Sequence, residues 1–176
     1  EVFHQPKFCN PLHVVQQSSG KLRLILDLSH VNKFLIKRRI KYEDLRTVLQ
    51  LFKQGSSVFA FDLKSAYHHI EIFEDHTKFL AFKWLFPDGS CRYFEFQVLP
   101  FGLSTAHYVF TKVMRQLVKF WRSRGLMIVL FLDDGMGRCL SEEEAVIVSG
   151  IVLHDLKDSG FTINDEKSRW KPNQIL

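Results

Sequence analysis

VLFLDDGMG, residues Val129 to Gly137, sets two carboxylates side by side at the end of an apolar run and directly before a glycine. Adjacent aspartates repel each other and lose hydration beside a packed strand, so without a compensating cation one of them tends to keep its proton. A divalent metal resolves that conflict. Successive strand residues face opposite ways, so Asp133 shares a face with Val129 and Phe131, while Asp134 points elsewhere unless the turn re-aims it. Phosphoryl chemistry on a metal needs another hard oxygen donor, and FAFDLKSAYHHI (59–70) offers Asp62, again at the end of an apolar strand. If the two strands are neighbours, Asp62 and Asp133 converge, and two Mg²⁺ ions roughly 3.5–4 Å apart could clamp an in-line displacement, with Mn²⁺ as a substitute. These residues alone read equally well as an Asp-Asp-Gly hairpin turn and an Asp helix cap, because Asp is favoured in both places.

Composition bounds what else the molecule can be. The chain has 176 residues, is 46% hydrophobic and carries 17 phenylalanines, enough for one compact domain or two closely packed lobes. Its 24 Lys+Arg against 19 Asp+Glu give a net charge of +5, which is compatible with an anionic partner without requiring one. Cys9, Cys91 and Cys139 are far apart and form no C-x-x-C pair, which argues against a disulfide framework and against a zinc site. No signal-peptide pattern is present, nor any apolar run near the ~18 residues of a membrane span. An intracellular protein, cytoplasmic or nuclear and neither secreted nor membrane-bound, is therefore expected. The start at Glu1 and the ending WKPNQIL, which shows no clear final element, suggest a piece of a longer polypeptide.

Strands are expected at 21–29 and 58–62, and a hairpin around Pro87-Asp88-Gly89. A helix is expected at 42–54, where Leu45, Val48, Leu49 and Phe52 recur at helical spacing and Gly55 follows. Another should run from Ser104 to Arg124, with Phe110, Val113, Met114, Leu117 and Trp121 as its apolar stripe and Gly125 as its stop. A buried strand at 126–132 would end at the aspartates, with 136–140 returning beside it. Ser141 and Glu144 make a capping box for a helix that stops at Gly160, and 161–163 looks like a last short strand.

Six stretches in order, NPLHVV, KLRLILDLSHVN, FAFDLKSAYHHIEI, VLPFGLSTAHYVFTKVM, VLFLDDG and LKDSGFTINDEKS, resemble the fingers and palm motifs of reverse transcriptases across nearly the whole chain. LRLILDLSHVNKFL, FDLKSAYHHI and VLPFGLS look most like the enzymes of DIRS-type or gypsy-type retrotransposons. The resemblance implies an α+β right-hand polymerase fold with an antiparallel palm sheet backed by helices. Fingers would be 1–36 and 70–99 and palm 37–69 and 100–176, with thumb and RNase H elsewhere in a polyprotein that also carries, in some relatives, a recombinase. It implies transfer of deoxynucleotides from dNTPs to a primer 3′-hydroxyl on an RNA or DNA template.

By the same resemblance, Asp62, Asp133 and Asp134 are the metal ligands, with the Leu63 carbonyl contributing. Arg23 and Lys21 hold the triphosphate, Arg23 as a planar fork suited to phosphate; a solvent-facing strand residue is the plain alternative for each. Tyr67 occupies the position of the ring that excludes a ribose 2′-hydroxyl, with Ala66 beside it in the nucleotide site. Phe101 stands where retroviral enzymes carry glutamine, and Gly102 lets backbone approach the nucleotide, although a Pro-Phe-Gly turn explains it almost as well. Lys167 matches the lysine that protonates pyrophosphate; a solvated surface charge is its plain alternative. QQSSG offers no counterpart to a further phosphate-binding base found upstream in retroviral enzymes.

One feature needs no family. Lys112, Arg115, Lys119 and Arg122 share a helix face along which a nucleic-acid backbone could lie, and an ordinary solvated surface gives the same pattern. The histidines have no ligand spacing and read as structural or surface groups. Two rival functions stand beside polymerisation: a catalytically silent, polymerase-derived nucleic-acid-binding domain, and a dinucleotide cyclase, which PFGLS and Tyr67 disfavour.

Overall fold

The computed structural model describes residues 1–16, 20–43 and 55–174. From residue 44 onward the helix expected at 42–54 lies outside them. In chain order the elements are β1 (Leu12–Gln16), β2 (Leu22–Leu26), α1 (Ser29–Asn32), β3 (Ser57–Asp62), a 3₁₀ turn (Ala66–His69), α2 (Glu74–Thr77), β4 (Ala81–Leu85), β5 (Cys91–Glu95), α3 (Ala106–Ser123), β6 (Met127–Phe131), β7 (Asp134–Cys139), α4 (Glu142–Asp158) and β8 (Arg169–Gln174). The chain divides into two compact units, one of 1–38 and 67–107, the other of 39–66 and 108–176. Among the described residues no helix is long and apolar enough to cross a membrane.

The first unit is built on two antiparallel hairpins, β1–β2 and β4–β5. Gly89 turns the second with its N–H donated to the Phe86 carbonyl, while Asp88 Oδ1 accepts from the Ser90 N–H. Asn10 joins the N-terminal segment to β4 by donating its side-chain amide to the carbonyls of Phe79 and Ala81, each at 2.9 Å. Asn32 does the same for the Pro-Phe-Gly turn, donating to the Gly102 carbonyl and accepting from the Ser104 N–H. Ser104, where the following helix is expected to begin, is thus part of that turn, and α3 opens at Ala106.

The second unit holds a four-stranded antiparallel sheet in the order β6-β7-β3-β8. Helix α4 packs on it through Ala145, Val148, Val152 and Leu156, all buried, and α3 contributes Phe110, Met114, Val118 and Trp121 to the same core. Val118 takes the place expected of Val113, which is left 38% exposed because the stripe turns with the helix. Trp121 Nε1 donates to Asp155 Oδ2 at 2.9 Å and ties the two helices together. Ser141 caps α4 as expected, its Oγ accepting from Glu144 N–H, and Glu144 reaches back to the Leu140 N–H. Gly125 and Gly160 end α3 and α4 with left-handed φ of 82°, and the N–H of the residue after each returns to a carbonyl of the last helical turn.

The C-terminal end departs from the expectation. Residues 161–163 supply only a bridge, Leu63↔Ile163, and the last strand is β8, in WKPNQ-bearing sequence that showed no clear element. Cys9 and Cys91 are exposed thiols, whereas Cys139 is buried in β7, and burial pushes it up to about 11. Iodoacetamide at pH 8 is therefore expected to modify Cys9 and Cys91 in the folded chain and Cys139 only after denaturation, read by mass spectrometry of the alkylated peptides. Rapid native alkylation of Cys139 would contradict the buried β7.

Candidate active site

The register of the central strands is set by rings lying over glycines. In the β3–β7 ladder Phe59 faces Gly137 and Phe61 faces Gly135. A Cβ on Gly135 would meet the Phe61 ring at 2.0 Å, and one on Gly137 the Phe59 ring at 2.2 Å. Trp170 of β8 closes the stack, parallel to Phe61 within 3° at 5.6 Å between centroids. A slip of one residue would drive the rings out of the core and reverse every face, so this register is strongly held. It sets Asp62 opposite Asp134 and brings β6 in with Phe131 opposite Asp134.

The turn between β6 and β7 is Leu132-Asp133, with Leu132 at a left-handed φ of 55°. It lies one step earlier than an Asp-Asp-Gly turn would, because Gly135 is needed inside β7 beneath Phe61. The Asp133 carbonyl accepts from the Leu63 N–H at 2.9 Å, so the turn is fastened to the end of β3. Asp62, Asp133 and Asp134 therefore gather at one end of the sheet, as the sequence suggests, and it is the N–H of Leu63 that is engaged there. Leu63 and Ala66 side chains are buried.

Asp62 is buried and fully engaged. Its Oδ1 accepts from Asn164 Nδ2 at 2.7 Å and its Oδ2 from Lys167 Nζ at 3.1 Å. Its N–H donates to Ser168 Oγ, and its carbonyl accepts from the Asn164 N–H. Hydrogen bonding to Asp62 raises the Lys167 ammonium above the usual lysine range. Partial burial, then the charges of Asp133 and Asp62, hold the Asp134 carboxyl above its ordinary value. That is the chemistry of a donor set short of positive charge: hard oxygens at adjoining strand ends, one of them driven toward its proton, which fits a hard divalent cation. The carboxylates do not form a closed cage, since among the described residues no group of three or more His, Cys, Asp or Glu side chains is arranged around a common point. Asn164 and Ser168 were not singled out from sequence, although the NDEKS stretch and the asparagine that opens it contain both; polar turn residues carry no spacing signal.

In the first unit Lys21 and Arg23 are exposed on and beside β2. The Arg23 guanidinium lies over the Phe101 ring at 4.7 Å, a cation–π contact that orients its plane. Tyr67, in the 3₁₀ turn, meets Phe101 edge-on at 5.6 Å and His107 at 5.4 Å. Gly102 has φ of 105°, and a Cβ there would stand 2.1 Å from the Leu26 carbonyl oxygen, so β2 is the backbone that this glycine lets in. Burial holds His68 and His69 below the usual imidazole range.

The basic face of α3 divides. Lys112 lies beside the Tyr108 ring, and Lys119 is exposed. Arg115 donates to the Lys41 carbonyl. Arg122 donates from Nε and Nη2 to the Ile128 carbonyl and pairs with Glu43 at 2.7 Å, while Glu43 accepts the Leu130 N–H. Arg122 is thus engaged in holding β6, a tertiary role that helical spacing could not reveal.

A family model described as reverse transcriptase (RNA-dependent DNA polymerase) matches residues 14–175. The Tf2-3 transposon polyprotein of Schizosaccharomyces pombe is 32% identical over 166 residues, and the Tf2-7 polyprotein of the same organism 31% identical; each match covers 94% of this chain and 12% of the polyprotein. Among solved structures, a foamy viral protease-reverse transcriptase in complex with double-stranded DNA superimposes with a TM-score of 0.81 at 20% identity, over 99% of this chain and 29% of that one. Prototype foamy virus protease-reverse transcriptase does so with a TM-score of 0.77 at 20% identity, over 94% of this chain and 21% of that one.

Proposed function

Because the chain belongs to the reverse transcriptase family, we propose that it is the RNA-directed DNA polymerase of a retrotransposon, of DIRS type or gypsy type, adding dNTPs to a primer 3′-hydroxyl. The observation that carries this reading is the meeting of Asp62, Asp133 and Asp134 at one end of the β3–β7 ladder, with Asp134 short of positive charge. Two Mg²⁺ ions held by these carboxylates and the Leu63 carbonyl would supply activation of the hydroxyl and neutralisation of charge on the transferred phosphate. Residues 1–36 and 70–99 are read as fingers and residues 37–69 and 100–176 as palm.

In the fingers Arg23 would grip the incoming triphosphate, its plane already set by Phe101, with Lys21 beside it. Tyr67, braced by Phe101 and His107, would stand where a ribose 2′-hydroxyl needs room. Lys167, kept protonated by Asp62, would deliver a proton to the pyrophosphate leaving group. Lys112 and Lys119, with Arg115, would meet template or primer phosphates. The whole polyprotein supplies the remaining domains.

Primer extension on an RNA template with dNTPs and Mg²⁺ tests the reading. Wild type is expected to extend, and Tyr67→Ala to incorporate ribonucleotides at least about tenfold more readily. Folded wild-type chain that binds primer–template and never extends it would leave the nucleic-acid-binding rival in its place.

A further inference from the structure

The segment that holds Asp62 comes from the far end of the second unit, and it treats the two carboxylate oxygens differently. Oδ1 takes a neutral amide, Asn164 Nδ2 at 2.7 Å, and Oδ2 takes an ammonium, Lys167 Nζ at 3.1 Å. Asn164 is itself pinned: its N–H donates to the Asp62 carbonyl, and its own carbonyl accepts from the N–H groups of Lys167 and Ser168 and from Ser168 Oγ. Ser168 is buried and closes the circuit by accepting the Asp62 N–H. An ionised carboxylate has no proton to give, so the amide must present Nδ2, and the contact fixes the Asp62 rotamer while leaving its charge intact. Lys167 is the opposite case. Its side chain is 67% exposed on a flexible stem, and its charge occupies the oxygen that a cation from solution would need.

We propose that Asn164 is a positioning residue that presents Asp62 to a divalent ion, and that Lys167 is a tethered counter-cation which the ion must displace from Oδ2. The two residues then act on metal affinity with opposite signs, although both are hydrogen-bond donors to the same carboxylate. Lys167, once displaced, remains on its loop beside the site, free to act on the leaving group. The inference rests on the metal-dependent reading given under Proposed function and adds to it an order of events: cation exchange at Asp62 precedes turnover.

Mn²⁺ binding to the whole chain, followed by electron paramagnetic resonance of the free ion, tests it without substrate or activity. Asn164→Ala is expected to weaken Mn²⁺ binding by about tenfold or more, the usual effect of removing a group that orients a ligand. Lys167→Met is expected to tighten it severalfold, and Lys167→Arg, which restores a cation, to return it toward wild type. Asn164→Ser, too short to reach Oδ1 yet able to serve the turn, repeats the Ala measurement should that variant fold poorly. Unchanged affinity in both Asn164 variants overturns the positioning role, and weakened or unchanged affinity in Lys167→Met overturns the counter-cation role. Wild type that binds no more Mn²⁺ than Asp62→Asn would overturn the metal reading itself and this inference with it.

Discussion

Asp62→Asn is expected to lower Mg²⁺-dependent primer extension by at least about a thousandfold while the chain stays folded. The side chain is buried at the end of β3, and its two oxygens are held in place by Asn164 and Lys167. An amide keeps the shape and can still accept from Asn164, so the turn of 164–168 keeps its local bonds. What it loses is the charge. A metal-held reaction centre supplies several kcal/mol to the transition state, and about 4 kcal/mol corresponds to a thousandfold in rate. The fold should tolerate the change because Lys167, whose side chain is 67% exposed, keeps its ammonium in water when the pair is broken. Extension by the variant within tenfold of wild type, with an unaltered melting curve, would remove Asp62 from the reaction.

Gly135→Ala is expected to destabilise the second unit by about 3 kcal/mol or more, a loss set by overpacking in a filled core. The added Cβ would stand 2.0 Å from Phe61 Cζ. Phe61 cannot give way, since Trp170 is stacked on it at 5.6 Å and Trp121 meets it edge-on at 6.4 Å. Thermal unfolding should register a fall of about 10 °C, given roughly 2–4 °C per kcal/mol for a chain of this size. The same exchange at Gly150, inside α4 with nothing within 4 Å of the new Cβ, should instead stabilise by roughly 0.5–1 kcal/mol through helix propensity. Equal responses at the two glycines would mean that the Phe61–Trp170 stack is not the constraint on β7.

These cases show where sequence reading works and where it stops. Asp62 and Asp133 were legible because each ends an apolar run, and α4 because Ser141, Glu144 and Gly160 punctuate it chemically. Gly135 looked like a turn former, yet its lack of a side chain serves Phe61, a contact with β3 that no local window contains. The last strand escaped because Pro172 and the charges around it break the alternation of a half-buried strand. β8 tolerates them as an edge strand of the sheet, where a missing donor has no neighbour to fail. Asn164 takes its role from Asp62, 102 residues away, and Arg122 from Ile128 on the next strand and from Glu43, and spacing within a turn or helix gives no hint of either.

The central place of β3 has a consequence for how the protein is made. Asn164 and Ser168, which hold Asp62, follow it by 102 and 106 residues. At a ribosomal pace of about 5–20 residues per second, a newly synthesised β3 waits roughly 5–20 s for them, and its β8 edge stays open even after β7 has arrived on the other. A chain interrupted before residue 164 holds β3 on one side only and leaves Asp62 without its two side-chain donors. The carboxylate centre is thus ordered late, by the stretch that leads into the strand closing the open edge of β3.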